Sequence, residues 1–563
     1  MLKRILAIAL TLNLVSAAQA ASPIALLSEQ CLRYEIAPWV DSPPSEPSVQ
    51  VVNLERDLIS LFNLKDSLRY YQQYALNSAS QEALLLCQLH LGDQIDKLYH
   101  DPNIVSLSQA LKNSFRPDEQ AIAKRLTQLL QGKMEIADKA ALHTSEANIT
   151  FALRQQALSL VMSNDRCLLK PVKDTELNDP SNSLAPGFSE SIASYLIEQS
   201  DPHCRQQVWQ AYQLRAKDKS ERALTHVIAA KQQQAELAGF SDYASFSLAS
   251  QHIATPQLLK QYLDAMTQPT LAPWELGIAL SQADKTPLQP VFTQVILSHI
   301  YQALQPFGIR VESLNDTMIR LWHGQRLLGD LFLNQGEPDQ DTSIRVTPIR
   351  YSVVGQQFGQ VSLSFPGVLD SYRAQTQLIE AFSNALALLL KGGRFYLINT
   401  LAAPQDTGLV GQYWLSLYLQ HQLLPPAPKE SREARLATFA EQLSVFRSKL
   451  ALNLYQTRSH AYPDMAREFE LSFTQPWPQA NEAIYSFMGI VNQGPRYYQR
   501  LWQRSLARLI DQQATIDKSA LFELLLINEA QLPFTQQLTL IFGEPVSTSS
   551  LIKRIQHDQH AAL

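Results

Sequence analysis

Histidine and glutamate are the residue types most often combined to hold a catalytic zinc ion, and the chain contains twelve histidines. The pattern that places two imidazoles and a general base on one helical face is HExxH, and it occurs nowhere in the sequence. No histidine lies between His323 and His421. His143 and Glu146 stand three residues apart, but a single such pair is more typical of a solvated helix face than of a metal site. The histidines are therefore numerous without forming a metal-binding pattern.

Three other patterns associated with chemistry are incomplete. The segment 391–394, KGGR, resembles a phosphate loop but lacks GxxxxGK[ST], and a helix C-terminus explains its glycines and basic residues. The segment 187–191, GFSES, fails at the last position of the GxSxG elbow, so a serine hydrolase is not supported. His460, close to Tyr462 and Asp464, is expected to serve loop structure.

The four cysteines lack the CxxC spacing of redox and zinc sites, so we interpret them as structural. An even number suggests two disulfides, with three possible connectivities. We favour pairing between nearest neighbours in the sequence. The favoured pairs are Cys31 with Cys87 and Cys167 with Cys204.

The amino terminus has the pattern of a secretory signal peptide. Lys3 and Arg4 precede an apolar run, and Ala18 and Ala20 supply the small residues that a signal peptidase recognises. We predict cleavage near Ala20 and an exported protein, periplasmic or secreted, without a membrane span in the mature chain. The formal net charge of −5 becomes more negative when Lys3 and Arg4 are removed, which argues against nucleic acid as a partner.

The composition favours a helical globular protein. Apolar residues make up 45% and charged residues 18% of the chain, which excludes disorder, and only 19 of 563 residues are glycine. Helical spacing of apolar residues predicts helices over 51–76, 120–131, 190–197, 204–237, 255–266, 292–304 and 430–454. The segment 342–365 predicts a small group of strands, and a helix over 374–390 follows it.

Several segments resemble, in the same order, the thimet oligopeptidase, neurolysin and oligopeptidase A family of zinc metallopeptidases. The first is 205–254, where Gly239 is expected to end one helix in the left-handed conformation before another starts near Ser241. The others are 328–333 (LGDLFL), 497–502 (YYQRLW) and 542–545 (FGEP) with Leu551 and Ile552. The likeness spans about 51–554. It implies a mainly α, large two-lobed zincin-like fold with a small β-sheet near the former active site.

The active-site motif of that family is HEFGH on a helix, and the corresponding helix here has lost it. Four residues match the family's packing positions: Leu378, Phe382, Ala385 and Leu386. Glu380 and Asn384 stand in place of the two histidine ligands, and Ala381 in place of the general base. An alanine has no group that accepts a proton, so hydrolysis by the family's mechanism is expected to be absent.

The third zinc ligand of the family would fall at Ala402 or Gln405, depending on how the segment is aligned. Neither residue is a credible zinc ligand, so no cofactor is expected although the family binds zinc. Glu380, Asn384 and Asp406 are too few oxygen ligands for a hard cation such as Ca²⁺. We instead expect Glu380 and Asn384 to form a hydrogen-bonded pair.

The residues that would line a substrate cleft have also changed. In the family, a histidine and a tyrosine in a glycine-rich loop help to stabilise the oxyanion, and Phe487 and Gln493 stand at about these places here. A phenyl ring cannot donate to an oxyanion. Tyr497 and Tyr498 remain and are candidates for lining a cleft.

These observations divide the chain into a signal peptide (1–20), an N-terminal helical region (21–330), a degenerate catalytic-like region with the small sheet (331–470) and a C-terminal helical region (471–563). The resemblance implies a catalytically inactive pseudopeptidase that binds peptides or a protein partner in an internal channel. The alternative is an active zinc-dependent oligopeptidase with a displaced metal site.

Overall fold

A computed structural model describes residues 22–36, 46–131, 136–154, 167, 188–336, 343–400, 405–456, 462 and 464–561. The predicted signal peptide, Ala402 and His460 lie outside these ranges.

Helices dominate the fold, as the composition predicted. The α-helices are α1 (Pro23–Arg33), α2 (Pro47–Tyr71), α3 (Ser78–His100), α4 (Pro102–Leu111), α5 (Pro117–Gln131), α6 (Ile136–Arg154), α7 (Phe188–Glu198), α8 (Pro202–Gln213), α9 (Lys217–Leu237), α10 (Tyr243–Leu248), α11 (Pro256–Ala265), α12 (Leu276–Gln282), α13 (Thr293–Leu304), α14 (Tyr372–Leu390), α15 (Tyr396–Thr400), α16 (Val410–Leu423), α17 (Arg432–Tyr455), α18 (Met465–Phe473), α19 (Gly489–Asn492), α20 (Gln499–Gln513), α21 (Lys518–Phe522), α22 (Phe534–Phe542) and α23 (Thr548–Ala561). Short 3₁₀ turns at Gln405–Thr407 and Gly494–Tyr498 precede α16 and α20.

The strands are β1 (Val291–Phe292), β2 (Ile309–Asn315), β3 (Met318–His323), β4 (Arg326–Gln335), β5 (Arg345–Arg350), β6 (Gly359–Phe365) and β7 (Val368–Leu369). A five-stranded sheet has the order β2-β3-β4-β6-β5, with β4 and β6 parallel and the other neighbours antiparallel. The predicted strands between 342 and 365 are present, but the sheet also contains β2, β3 and β4, which the apolar pattern did not identify.

The long helix after the sheet lies directly on it because two glycines leave room. Gly329 and Gly359 face each other across β4 and β6, and a Cβ on Gly329 would approach the carbonyl oxygen of Gly359 to 2.1 Å. A Cβ on Gly359 would approach Leu389 of α14 to 2.6 Å. The absence of these side chains therefore sets the close packing of α14 on the sheet.

Two of the predicted local features are confirmed with small changes. Gly239 ends α9 with a φ of +83°, and Asp242 caps α10 by accepting from the backbone N–H of Ser245 at 2.7 Å. The helix predicted over 204–237 is instead two helices, α8 and α9, separated at 214–216.

The hydrophobic interior falls into one large cluster and two smaller ones, giving two lobes. Helices α1–α5 form the smaller lobe and supply most of the two minor clusters, one of which also contains Val353 and residues 395–397. The larger lobe contains the sheet, α14 and the C-terminal helices. The lobes meet where α2 covers the outer edge of β5. There Gln73 accepts from Thr347 Oγ1 at 2.7 Å, and Asp66 accepts from the Tyr396 hydroxyl at 2.7 Å.

Both favoured disulfides are confirmed. Cys31 and Cys87 join α1 to α3, and Cys167 and Cys204 join the segment before α7 to the start of α8. None of the helices that the structure describes is sufficiently long and apolar to cross a bilayer.

Candidate functional site

Helix α14 carries the residues that the sequence places at the family's zinc motif. Ser371 caps it, accepting from the Ala374 N–H at 3.3 Å, so the helix begins two residues earlier than predicted. The predicted packing residues are fully buried; they are Leu378, Phe382, Ala385 and Leu386. Glu380, Ala381 and Asn384 lie on a partly exposed side of the same helix. Positions 380 and 384 share one face because they are one turn apart.

Glu380 pairs with an arginine rather than with Asn384. Arg504 of α20 donates from Nη2 to Glu380 Oε1 at 3.2 Å. The guanidinium also lies over the ring of Tyr413 in α16, 5.2 Å from its centroid. The expected hydrogen bond between Glu380 and Asn384 is wrong, because the longer Arg504 side chain reaches Glu380 across the helix interface. About a third of each partner is exposed, so the pair contributes at most about 1 kcal/mol.

Gln405 occupies a different environment from Glu380. Its side-chain Oε1 accepts from Arg496 Nη1 at 3.0 Å, and its backbone carbonyl accepts from Gln503 Nε2 at 2.7 Å. Gln405 lines a large cavity, whereas Glu380 and Asn384 are not among the described residues that line it. The structure therefore does not bring the three predicted positions to one common surface of this cavity.

Asp406 is completely buried and bound by protein donors. The Tyr498 hydroxyl donates to Oδ2 at 2.8 Å, and the backbone N–H groups of His252 and Ile253 donate to Oδ1 and Oδ2 at 2.8 and 3.0 Å. Burial, reinforced by this carboxylate, raises the pKa of Tyr498 well above its usual range. Asp406 thus fixes the turn before α16 to the segment after α10 and has little capacity left for a cation.

The other cleft candidates form a packed cluster. Phe487 is 7% exposed and meets Tyr497 edge to face at 5.2 Å, and the Arg447 guanidinium lies 4.8 Å from the Phe487 ring centroid. Gly489 makes this packing possible, since a Cβ there would approach Tyr497 to 2.2 Å. Gln493 is exposed to solvent.

None of Phe487, Gln493, Tyr497 and Tyr498 is among the described residues that line the large cavity. The residue of this segment that does line it is Arg496, which the sequence analysis did not single out.

The cavity has a volume of about 1340 Å³ and lies between the smaller lobe and helices α9 and α10. One wall is formed by α5 with the end of α3, and the other by α9, α10, Gln405 and Arg496, with α6 packed against α9. Amide side chains are frequent on these walls; they belong to Gln128, Gln233, Gln234, Gln251 and Gln405. An amide both donates and accepts, so it can pair with either polar group of a peptide bond.

Arginines outnumber acidic residues on the cavity lining. Arg125 and Arg496 line it, whereas Asp138 is the one acidic residue among the lining residues described; His100 and His226 also line it. Burial lowers the pKa of Arg125 to about 10. This local excess of positive charge contrasts with the net charge of −5 for the whole chain.

A further buried cation contacts Tyr243, one of the residues that line the cavity. Lys231 of α9 is 7% exposed, donates from Nζ to the carbonyl of Val491, and lies 5.6 and 5.5 Å from the ring centroids of Tyr243 and Tyr455. Burial lowers the pKa of Lys231 to about 8. Lys231 thereby ties α9 to the loop that carries Arg496.

The residues present do not fit a zinc ion. Across the described ranges, no three His, Cys, Asp or Glu side chains come close enough together to hold a metal. At the motif positions, the sole carboxylate is that of Glu380, and it is engaged by Arg504. A cation next to a metal position opposes metal binding, and amide and methyl groups are poor zinc ligands.

Comparisons with known proteins give distant similarity to solved structures and none to described families or curated proteins. No protein-family description matches the sequence, and no curated protein matches it. Among solved structures, a carboxypeptidase from Pyrococcus furiosus, described as the apo-Mg form, is 12% identical, with a TM-score of 0.49 over 92% of this chain and 99% of that one. A similarity at this level carries no conclusion about activity.

Proposed function

We propose that the chain is an exported metallopeptidase-like protein that has lost zinc-dependent hydrolysis and binds extended peptides in the cavity between its lobes. The proposed family is that of thimet oligopeptidase, neurolysin and oligopeptidase A. This proposal rests on the segments between 51 and 554 that resemble the family in the same order. The loss of hydrolysis is inferred from one observation. Glu380, Ala381 and Asn384 occupy the positions of α14 that correspond to the zinc motif, and Arg504 is bound to Glu380.

Peptide binding is supported by the form and chemistry of the cavity. Its volume of about 1340 Å³ exceeds the roughly 300–1,000 Å³ of sites for small ligands, which favours an extended chain as the occupant. The amide side chains on both walls can pair with the backbone of such a chain whatever its sequence.

Export is supported by the pattern of the first twenty residues and by the disulfides. Both pairs of cysteines are bonded, and disulfides persist mainly in oxidising compartments. Detection of the mature amino terminus after Ala20, by sequencing protein from the exporting cell, tests this part of the proposal.

The loss of hydrolysis is tested by metal content and turnover together. Purified protein should contain no stoichiometric zinc by elemental analysis, and it should not cleave a mixture of quenched fluorescent peptides. About one equivalent of tightly bound zinc, together with turnover that a chelator abolishes, would overturn the proposal. That result would instead support the alternative of an active oligopeptidase with a displaced metal site.

Peptide binding is tested separately by calorimetric titration with acetylated, amidated heptapeptides of alanine, serine and tyrosine. Saturable binding that is weakened when Gln233 and Gln234 are both replaced by alanine supports the cavity as the site. Glu236→Ala on the same helix is a suitable control because Glu236 is absent from the cavity lining.

A further inference from the structure

Arg125 is a buried cation without a counter-ion in the part of the chain described. It lies on α5, is 4% exposed and lines the cavity. Its Nη1 donates to Gln128 Oε1 at 2.5 Å, but its Nη2 is buried and has no hydrogen-bond partner. An unpaired buried guanidinium is costly, so its presence at a cavity wall requires an explanation.

The acidic residues of the same helix do not supply the missing charge. Asp118 and Glu119 are the acids of α5, and both are already engaged by Arg116 and Arg394. Asp138, the acidic residue of the cavity lining, forms no ion pair with Arg125 among the described residues.

The neighbouring amide is replaceable. Gln128 is only partly buried, lies one turn from Arg125 and also lines the cavity. A carboxylate that displaced the Gln128 oxygen from Nη1 would contact Nη2 at the same time. Both nitrogens lie in the plane of the Arg125 guanidinium and can donate to the two oxygens of one carboxylate. Such a bidentate contact would satisfy the unpaired donor and neutralise the buried charge in one step.

We propose that the cavity selects peptides bearing a carboxylate, which binds the Arg125 fork after Gln128 moves aside. This inference rests on the proposed peptide-binding function and adds the chemical class of the ligand. Arg496 on the opposite wall adds a second positive charge that favours the approach of an anion. The carboxylate comes either from the carboxyl terminus of the peptide or from an acidic side chain.

The test uses four acetylated heptapeptides that share one sequence of alanine, serine and tyrosine except where a charge is introduced. One has an amidated end and no charge, one has a free carboxyl end, one has an amidated end and a central glutamate, and one has an amidated end and a central lysine. Calorimetric titration of the full-length protein should give affinity for one or both carboxylate peptides at least about tenfold above that for the neutral peptide. That is the scale of one charge-assisted hydrogen bond. The carboxylate peptide whose affinity exceeds that of the neutral peptide identifies the source of the carboxylate.

Three variants locate the effect. Arg125→Met should abolish the preference for carboxylate peptides over the neutral peptide. Because it removes an unpaired buried charge, it should leave the melting temperature unchanged or higher. Gln128→Ala should keep or increase the preference, because it removes the competing acceptor. Lys124→Gln removes the same charge from the exposed side of the same helix and should leave the preference intact.

The outcomes separate this inference from the proposed function. Equal affinity for all four peptides, or a preference that persists in folded Arg125→Met protein, would overturn the inference and leave peptide binding standing. Absence of binding by every peptide would overturn both. A preference for the lysine peptide would also overturn the inference, since it would show that the cavity behaves as an anionic site.

Discussion

Arg504 of α20 holds Glu380 of α14 through a contact of 3.2 Å between residues 124 positions apart in the chain. In the proposed correspondence with the thimet oligopeptidase family, position 380 matches the first metal ligand of that family. A fixed positive charge therefore stands beside the place where a dication would have to bind. This relationship leads to the first of four predictions.

A rebuilt zinc motif should bind zinc more tightly when Arg504 is removed. The triple variant Glu380→His, Ala381→Glu, Asn384→His places two imidazoles one turn apart, and it should bind Zn²⁺. The same variant with Arg504→Met should bind about tenfold more tightly, because a nearby guanidinium repels the ion. Competition with a chromophoric chelator measures both affinities. Glu380→His with Arg504→Met, which has a single imidazole, is the control. Equal zinc affinity with and without Arg504 would contradict the prediction.

Asp406 should be a strong determinant of stability. Asp406→Ala leaves the Tyr498 hydroxyl and two backbone N–H groups without partners, so we expect the free energy of unfolding to fall by about 3 kcal/mol or more. Tyr498→Phe removes one of these bonds and should cost about 2 kcal/mol. Urea denaturation followed by circular dichroism measures both. Asp138→Asn, at an exposed position, should change stability by less than about 0.5 kcal/mol. A loss below 1 kcal/mol for Asp406→Ala would refute this account.

Stability should decrease as the pH rises through the neutral range. Burial raises the pKa of Glu55 to about 7 and that of Asp66 to about 6, although backbone N–H groups of Tyr396 and Leu397 partly oppose the shift at Glu55. A raised pKa in the folded state means that the stabilisation is complete below the unfolded pKa of about 4 and is lost as the pH passes about 6 to 7.

The variant Glu55→Gln isolates this effect, since it cannot ionise. The free energy of unfolding of the native protein should fall between pH 5 and pH 8 by about 2–3 kcal/mol more than that of Glu55→Gln. Denaturant titrations at several pH values provide the comparison. Parallel pH profiles for the two proteins would show that Glu55 does not titrate in this range.

The disulfide between Cys31 and Cys87 should stabilise the smaller lobe. The loop between the two residues has a sequence separation of 56, so the variant with both residues changed to serine should lose about 2–4 kcal/mol of stability. Hydrogen exchange should show the loss in α1 and α3, where the two cysteines lie. The corresponding variant of Cys167 and Cys204 is the control and should leave exchange in α1 and α3 unchanged. Uniform loss of protection over the whole chain in the first variant would argue against a local effect.

Local sequence patterns predicted the elements that depend on neighbours in the chain. The helix α14 was located to within two residues because apolar spacing around Leu378 and Phe382 is strong, and its Ser371 cap accounts for the earlier start. The disulfide pairs followed from proximity along the chain. Strands β2–β4 were missed because their partly buried faces carry charged residues such as Arg320 and Asp330, which pair with each other across β3 and β4 at 2.9 Å.

The candidate site was predictable only where residue type alone decides the chemistry. The absence of histidine at 380 and 384 is visible in the sequence, whereas the partner of Glu380 depends on how α20 packs against α14. Arg125 and Arg496 were missed because they come from distant segments that the fold brings to one cavity. One sequence signal for Arg125 exists. It stands three residues after Ile122 and directly before Leu126, within the buried apolar spacing of α5, where an arginine is unusual.

The covering of β5 by α2 also bears on the order in which the protein can assemble. Helix α2 leaves the ribosome early, yet the tyrosine that binds its Asp66 is made 330 residues later. Strand β5, which α2 covers, also lies far from α2 in the sequence, so α2 lacks these final contacts until both segments are in place. The Cys31–Cys87 bond closes entirely within the early segment. In an oxidising compartment it can therefore hold the first helices together before α2 has joined the sheet.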